Sequence, residues 1–223
     1  TGARSGGPAH IATPAHVAGG PGRATCSCGF SVSRPVPAAA PAYAPDGVAD
    51  IVGDPQRPLA LADDRNRFTT QSGWLEVSRD GDRLALDFPA RPPLPCPVPA
   101  ALATALGTQP VEVLASRDYF VVLRSAEAVR AVKPDFALLG TLDRGAVIVT
   151  APGDDCDFVS RFFAPAMGIP EDPVTGSAHC TLIPYWSRRL GKISLLARQL
   201  SARGGELHCE DRGERVAIGG HTV

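Results

Sequence analysis

Apolar positions divide the chain into two unlike stretches. Up to residue 66 no period of 2 or 3.6 persists: Phe30, Tyr43, Leu59 and Leu61 stand among Pro, Gly and Ala, as in RPVPAAAPAYAPDG. So few large apolar side chains do not offset the entropy of ordering the backbone, so residues 1–66 are expected to be irregular or disordered. From Arg67 the pattern changes. RFTTQSGWLEV and SRDGDRLALDFP alternate around Arg79-Asp80-Gly81-Asp82, a tight-turn signal, which predicts a hairpin with Leu84, Leu86 and Phe88 on one buried face. The Pro-rich RPPLPCPVP that follows reads as a crossing linker and a domain boundary.

Beyond the linker the pattern alternates between helix and strand. Val98 to Leu106 predicts a short helix stopped by Gly107, and VEVLASRDYFVVLRS one or two strands. SAEAVRAVKPD predicts a helix with Ser125 at its N-cap, Glu127 in the first turn and Pro134 past its end. FALLGTLD reads as a helical turn, and GAVIVTAPG and DFVSRFF as buried strands. A helix is predicted from Gly176 to about Leu190, with Ala178, Leu182, Ile183, Trp186 and Leu190 on its apolar side and a kink at Pro184. LLARQLSARGGELHCE and GERVAIGGHTV read as helix or turn, strand, turn, strand. The expected class is α+β, with strands wrapping a central helix.

Composition narrows the function classes. The 223 residues can bury a core as one domain or two small ones, and a net charge of −1 with scattered Lys and Arg excludes a nucleic-acid surface. No apolar run approaches the ~18 residues of a membrane helix, and no charged-then-apolar leader pattern is present, so a soluble, cytoplasmic protein with no membrane partner is expected. Cys26, Cys28, Cys96, Cys156, Cys180 and Cys209 form no CxxC pair, which favours free thiols. Acidic DDCD, Asp154 to Asp157, reads as a solvated loop, and no metal site is predicted.

Candidate chemistry concentrates between Asp157 and Trp186. A strand runs into a Gly/Pro-marked loop holding Glu171-Asp172-Pro173, then Thr175-Gly176-Ser177-Ala178 opens the long helix. First-turn N–H groups lack intrahelical partners and carry the positive end of the helix dipole, so a carboxylate or phosphate fits there. Asp172 beside it can take or give a proton, or orient an amine or hydroxyl. The plainer reading is that Thr175 caps the helix and Asp172 the loop. His179 reads as a structural histidine and Cys180 as core-facing. Ser160-Arg161 either reaches the pocket or forms an ordinary ion pair. Gln199, Ser201 and Arg203-Gly204-Gly205 mark a turn with special backbone needs. A phosphate-loop Lys and a GxSxG elbow are both lacking, which argues against nucleotide binding and acyl hydrolysis at Ser177.

SRFFAP, GIPEDPVTGSAH, QLSARGGEL and RVAIGG together resemble the PhzF-like (phenazine-biosynthesis-like) proteins, cofactor-independent isomerases related in fold to diaminopimelate epimerase. The resemblance spans about Phe68 to Val223. It implies two lobes, each a β-sheet curled around a central helix, with the active site between them. It also implies that Asp172 and Ser177 line the cleft in catalytic roles, that Gly176 and Ala178 supply the helix-start amides for a small carboxylate-bearing substrate, no cofactor, and a homodimer; Thr175 and Arg161 are further substrate-binding candidates from the residues themselves. The family's FxGNP-type segment, its acid/base Glu in an SETAF-like stretch and its CGHAT-like helix start have no counterpart in residues 1–66, and no Glu precedes Glu76. The resulting expectation is an incomplete first lobe: 1–66 without match, 67–95 as its remnant hairpin, 96–223 as the second lobe around helix 176–190. Low or absent turnover follows, the alternative being a non-catalytic ligand-binding or dimerisation module. Gly/Ala/Pro/Arg-rich text is also what a GC-rich gene gives out of frame, so a family-like first lobe is expected in another frame of the locus.

Overall fold

A computed structural model describes residues 65–70, 73–81 and 83–221. The expectation of disorder for 1–66 therefore lies almost wholly outside the described residues. Strands β1 (Arg65–Thr70), β2 (Gly73–Asp80) and β3 (Arg83–Pro89) form an antiparallel meander, and β4 is the short Leu94–Pro95. Helix α1 (Ala100–Leu106) ends at Gly107, whose φ of 65° is the left-handed conformation that glycine supplies at a helix end. Strands β5 (Glu112–Ala115) and β6 (Tyr119–Val122) follow, then α2 (Ala126–Ala131) and α3 (Phe136–Leu139). The Ser125 hydroxyl accepts the Ala128 N–H, and the Asp135 carboxylate accepts that of Leu138, so each helix start is satisfied by a side chain from its own sequence. Strands β7 (Val147–Pro152) and β8 (Phe158–Phe163) lead through a 3₁₀ turn to α4 (Gly176–Leu190), and β9 (Ser194–Gln199), β10 (Gly205–Asp211) and β11 (Arg215–Gly220) complete the chain.

Among the described residues all eleven strands belong to one sheet, in the order β1-β2-β3-β11-β10-β9-β8-β7-β6-β5-β4. β6–β7 and β8–β9 are parallel and the other pairs antiparallel, giving the expected α+β class. The sheet curls around α4. Phe88, Phe120, Ile148, Phe158, Phe162, Leu207 and Ile218 point inward from six strands onto Leu182, Ile183 and Trp186 of the helix. Trp186 stacks on Phe158 with ring centroids 5.8 Å apart, and its indole N–H donates to the Thr150 hydroxyl at 3.0 Å. A second core lies on the outer side of β5–β8, where Val121, Val149, Val159 and Phe163 pack under Leu102, Leu106, Val129 and Leu139 of α1, α2 and α3.

Two expectations change. The hairpin at 67–95, expected as a remnant of a separate lobe, continues this sheet: β3 pairs β11 from Pro89↔Arg215 to Leu84↔Gly220. Val77, Leu84, Leu86 and Phe88 share the core around α4, so the Pro-rich segment marks no break in the packing. LLARQ is strand β9, where a helix or turn was expected. Its residues favour helix intrinsically, but Leu195, Ala197 and Gln199 face inward while hydrogen bonds on both sides hold the strand, and tertiary pairing overrides propensity.

Pro184 lies inside a continuous α4. A proline ring supplies no N–H, which leaves the carbonyl four residues earlier, that of Cys180, without its helical donor. The Arg91 N–H fills the vacancy at 2.8 Å. The Pro-rich strap after β3 is thereby docked onto the helix at the point its proline opened.

Candidate active site

Asp172 is 2% exposed and held by its neighbours. The Thr175 hydroxyl donates to its Oδ2 at 2.6 Å. Gln199 of β9 fastens both residues: its Oε1 accepts the Thr175 N–H at 2.8 Å, and its Nε2 donates to the Asp172 carbonyl at 2.7 Å and the Thr175 hydroxyl at 3.0 Å. The nearby turn is tied to the same loop. Ser201 Oγ donates to the Pro173 carbonyl at 2.7 Å and accepts the Gly204 N–H, with Gly204 at φ 73°. At Gly205 an added Cβ would lie 2.4 Å from Val174 Cγ2, so glycine is what lets the turn close on the motif loop.

This geometry changes the plain capping reading. Thr175 occupies the N-cap position of α4, but its side chain makes no cap hydrogen bond, being used on Asp172. Both Thr175 donors are used inside the protein, the N–H on Gln199 and the hydroxyl on Asp172. The first-turn amides of Gly176, Ser177 and Ala178 carry the helix's positive end, and a Cβ placed on Gly176 would meet nothing within 4 Å. Ser177 Oγ accepts a hydrogen bond from Arg117 Nη2 at 3.2 Å. The arrangement unites a fixed carboxylate, a hydroxyl and a helix start with open space at its glycine. Such a site can seat an anionic group and exchange a proton or hydrogen bond with the atoms next to it.

Arg161 does not join them. Along β8, Phe158 and Phe162 face α4, while Val159 and Phe163 face the outer helices, and Arg161 shares that outer parity. Its guanidinium binds Glu171 twice, at 2.7 and 2.9 Å, and donates to the carbonyls of Val129 and Val132 at the end of α2. Of the two readings open for Arg161, the structure shows the ion pair, which braces the motif loop against α2.

His179 and Cys180 are both buried, Cys180 in the core around α4. The Thr175 carbonyl can only accept, so the His179 Nδ1 at 2.8 Å carries the proton. Burial pushes the His179 pKa down to about 4, only partly opposed by that bond, so the ring is neutral. His179 Nε2 and Ser160 Oγ are buried without a hydrogen-bond partner among the described residues. Burial pushes the Cys180 thiol up to about 11, which removes it as a nucleophile. The four described cysteines are free, and no cluster of His, Cys, Asp or Glu among the described residues suits a metal ion. No described helix is long and apolar enough to cross a membrane.

Sequence reasoning missed Arg117 and Asp118. They lie sixty positions before Ser177, at the tip between β5 and β6. The available signal was a charged pair interrupting two apolar strand runs in ASRDYFVV. A depression of about 840 Å³ lies on the outer face of β9, β10, β11 and β3. It mixes Arg83 and Arg212 with Asp157 and Glu210 and is on the opposite side of the sheet from α4.

Sheet and helix define an α+β protein in which a curled sheet surrounds a central helix, with a buried carboxylate beside that helix's start. The chain belongs to the phenazine biosynthesis-like protein family, PhzC-PhzF, whose model matches residues 61–223. An uncharacterized isomerase of Pseudomonas aeruginosa is 59% identical over 161 residues, covering 72% of this chain and 62% of that protein. One of Halalkalibacterium halodurans is 42% identical over 160 residues, covering 70% and 60%. The crystal structure of a PhzF-family phenazine biosynthesis protein from Enterococcus faecalis superposes with a TM-score of 0.70 at 47% identity, covering 73% of this chain and 63% of that one. The chain thus spans about three-fifths of the length of these relatives.

Proposed function

We propose that the start of α4 is one side of the active site of a cofactor-independent isomerase or epimerase. The substrate is a small metabolite whose carboxylate rests on the Gly176–Ala178 amides. Asp172 accepts a hydrogen bond or proton from the atoms beside that carboxylate, and Ser177 donates to it. Proton removal and return at the adjacent carbon is the reaction class. The single observation carrying this reading is the Asp172–Thr175–Gln199 clamp. It holds a carboxylate in one orientation next to an uncapped helix start, whereas a purely structural N-cap would use the Thr175 hydroxyl on the helix itself.

Solvent-exchange NMR tests it. A panel of small 2-substituted carboxylates is incubated with the full chain in D₂O, and loss of the Cα–H signal is followed. Exchange above the protein-free rate is expected, slow because residues 1–66 offer no counterpart of the family's acid/base Glu, and reduced by about 10² or more in Asp172→Asn. Equal exchange in Asp172→Asn would end the assignment. That same lack of a Glu before Glu76 favours a second reading, a non-catalytic carboxylate-binding module, in which ligands raise the melting temperature without exchange.

A further inference from the structure

We infer that Arg117 contacts the substrate and makes the site selective for a carboxylate over its neutral analogues. The inference rests on the proposed function and adds a residue outside the family motif. Arg117 reaches the site from a different part of the chain. The turn Ser116–Asp118 closes on itself through the Ser116 N–H and the Asp118 carbonyl, 3.1 Å apart, and puts the guanidinium 3.2 Å from the Ser177 hydroxyl.

The placement is braced. Asp118, only 4% exposed, accepts from Arg117 Nε at 3.2 Å and Nη2 at 2.9 Å. Arg144 donates to the Ser116 carbonyl at 2.6 Å and lies over the Tyr119 ring, whose hydroxyl donates to Asp143 at 2.6 Å. A guanidinium fixed in its plane by a carboxylate loses little further freedom when it binds an anion, and its fork matches a carboxylate better than an ammonium does. Arg117 retains 35% of its side-chain exposure, so the brace leaves it accessible.

The electrostatics indicate the ligand. Arg117 and the positive end of α4 converge on one neutral hydroxyl, an arrangement that favours an anion between them. Asp172 lies three residues ahead of the same helix turn and would repel a second negative group. The ligand chemistry that satisfies both sides is a monocarboxylate carrying a hydrogen-bond donor or an acidic C–H next to its carboxyl group. Arg117 and the amides take the carboxylate, and Asp172 takes the adjacent proton-bearing atom.

Thermal-shift titrations of the full chain at constant ionic strength test this, with lactate, alanine and malonate as probes and lactamide as the neutral control. Lactate or alanine should raise the melting temperature, with lactamide inactive and malonate weaker. In the double variant Arg117→Gln/Asp118→Asn, which leaves no unpaired buried carboxylate, the apparent affinity should fall about ten- to a hundredfold. Arg117→Lys should lose less, since it keeps the charge and loses the fork; if the double variant fails to fold, this variant carries the test alone. Unchanged affinity in the folded variants would overturn the role of Arg117 and leave the α4 site standing. If no carboxylate stabilises the unaltered chain, the anion site under the proposed function falls, and the role of Arg117 with it.

Discussion

The two halves of the sheet are built on different plans. Strands β6, β7 and β8 are covered on both faces, by α4 inside and by α1–α3 outside, and they read as nearly unbroken apolar runs: YFVVL, AVIVTA, FVSRFF. Strands β3, β9 and β10 are, among the described residues, covered by a helix on one face only, that of α4. There every second residue is buried, as with Leu84, Leu86 and Phe88, or Leu207 and Cys209. Continuous apolar text marks a strand with helices on both sides, and alternation marks one with a bare face. The candidate site belongs to neither half. Arg117 comes from the doubly covered half, Gln199 from the singly covered one, and they approach α4 near the seam where β8 and β9 pair in parallel through Ser160↔Gln199. The parallel pairing needs a crossover connection, and the motif loop with α4 is that connection.

The largest test of this comparison is the core both halves share. Trp186→Ala should destabilise the protein by about 3–5 kcal/mol in urea unfolding, because Trp186 is fully buried in the core cluster that joins residues of both halves around α4. A loss below about 1 kcal/mol would mean that the halves do not share one core around α4.

Acid should act next most strongly. The unfolded chain's His179 titrates near 6.5, and burial lowers the folded value to about 4. Above pH 6.5 both states are neutral at this group and it contributes no pH dependence. Between 6.5 and about 4 the unfolded chain binds a proton that the folded one refuses, so stability falls as pH drops. The expected loss from pH 7.5 to 5 is about 2 kcal/mol. In His179→Gln, compared with its own value at pH 7.5, that portion of the slope should vanish; an unchanged slope would assign it to other groups.

The smallest effects separate the two plans directly. Val149 and Leu196 both point to the outer side of the sheet, Val149 under the helices and Leu196 into the open depression. Val149→Thr should cost about 1–3 kcal/mol, since it buries a hydroxyl in a covered face. Leu196→Thr should cost less, at or below about 1 kcal/mol, because the half-buried Leu196 gives up less apolar contact and the introduced hydroxyl can reach water. Equal costs would abolish the distinction.

Much of this was legible in the chain because the signals were local. Ser125 and Pro134 bracket α2, Gly107 ends α1, and the apolar spacing from Ala178 to Trp186 marks α4 within the bounds it adopts. Leu190 was the exception on that side, at 39% exposed. Where the reading failed, the deciding partner was distant. LLARQ became a strand because β8 and β10 flank it. Arg161 turned to the outer helices because sheet parity put it there, and that parity follows from pairing partners rather than from SRFF alone. Thr175 looked like a cap until Gln199, twenty-four residues on, redirected its hydroxyl to Asp172.

The sequence alone determined the α+β class, most of the helix boundaries, and a motif placing Asp172 a few residues ahead of a helix start. These rest on short-range rules of capping, periodicity and backbone conformation, which act within a few residues. Only the tertiary structure decided that the 67–95 hairpin joins the sheet around α4, that Gln199 clamps Asp172, and that Arg117 meets Ser177. Those contacts are closed by strand pairing between segments tens of residues apart, and the free energy that selects them comes from burying the shared core around α4, which no local window of sequence contains.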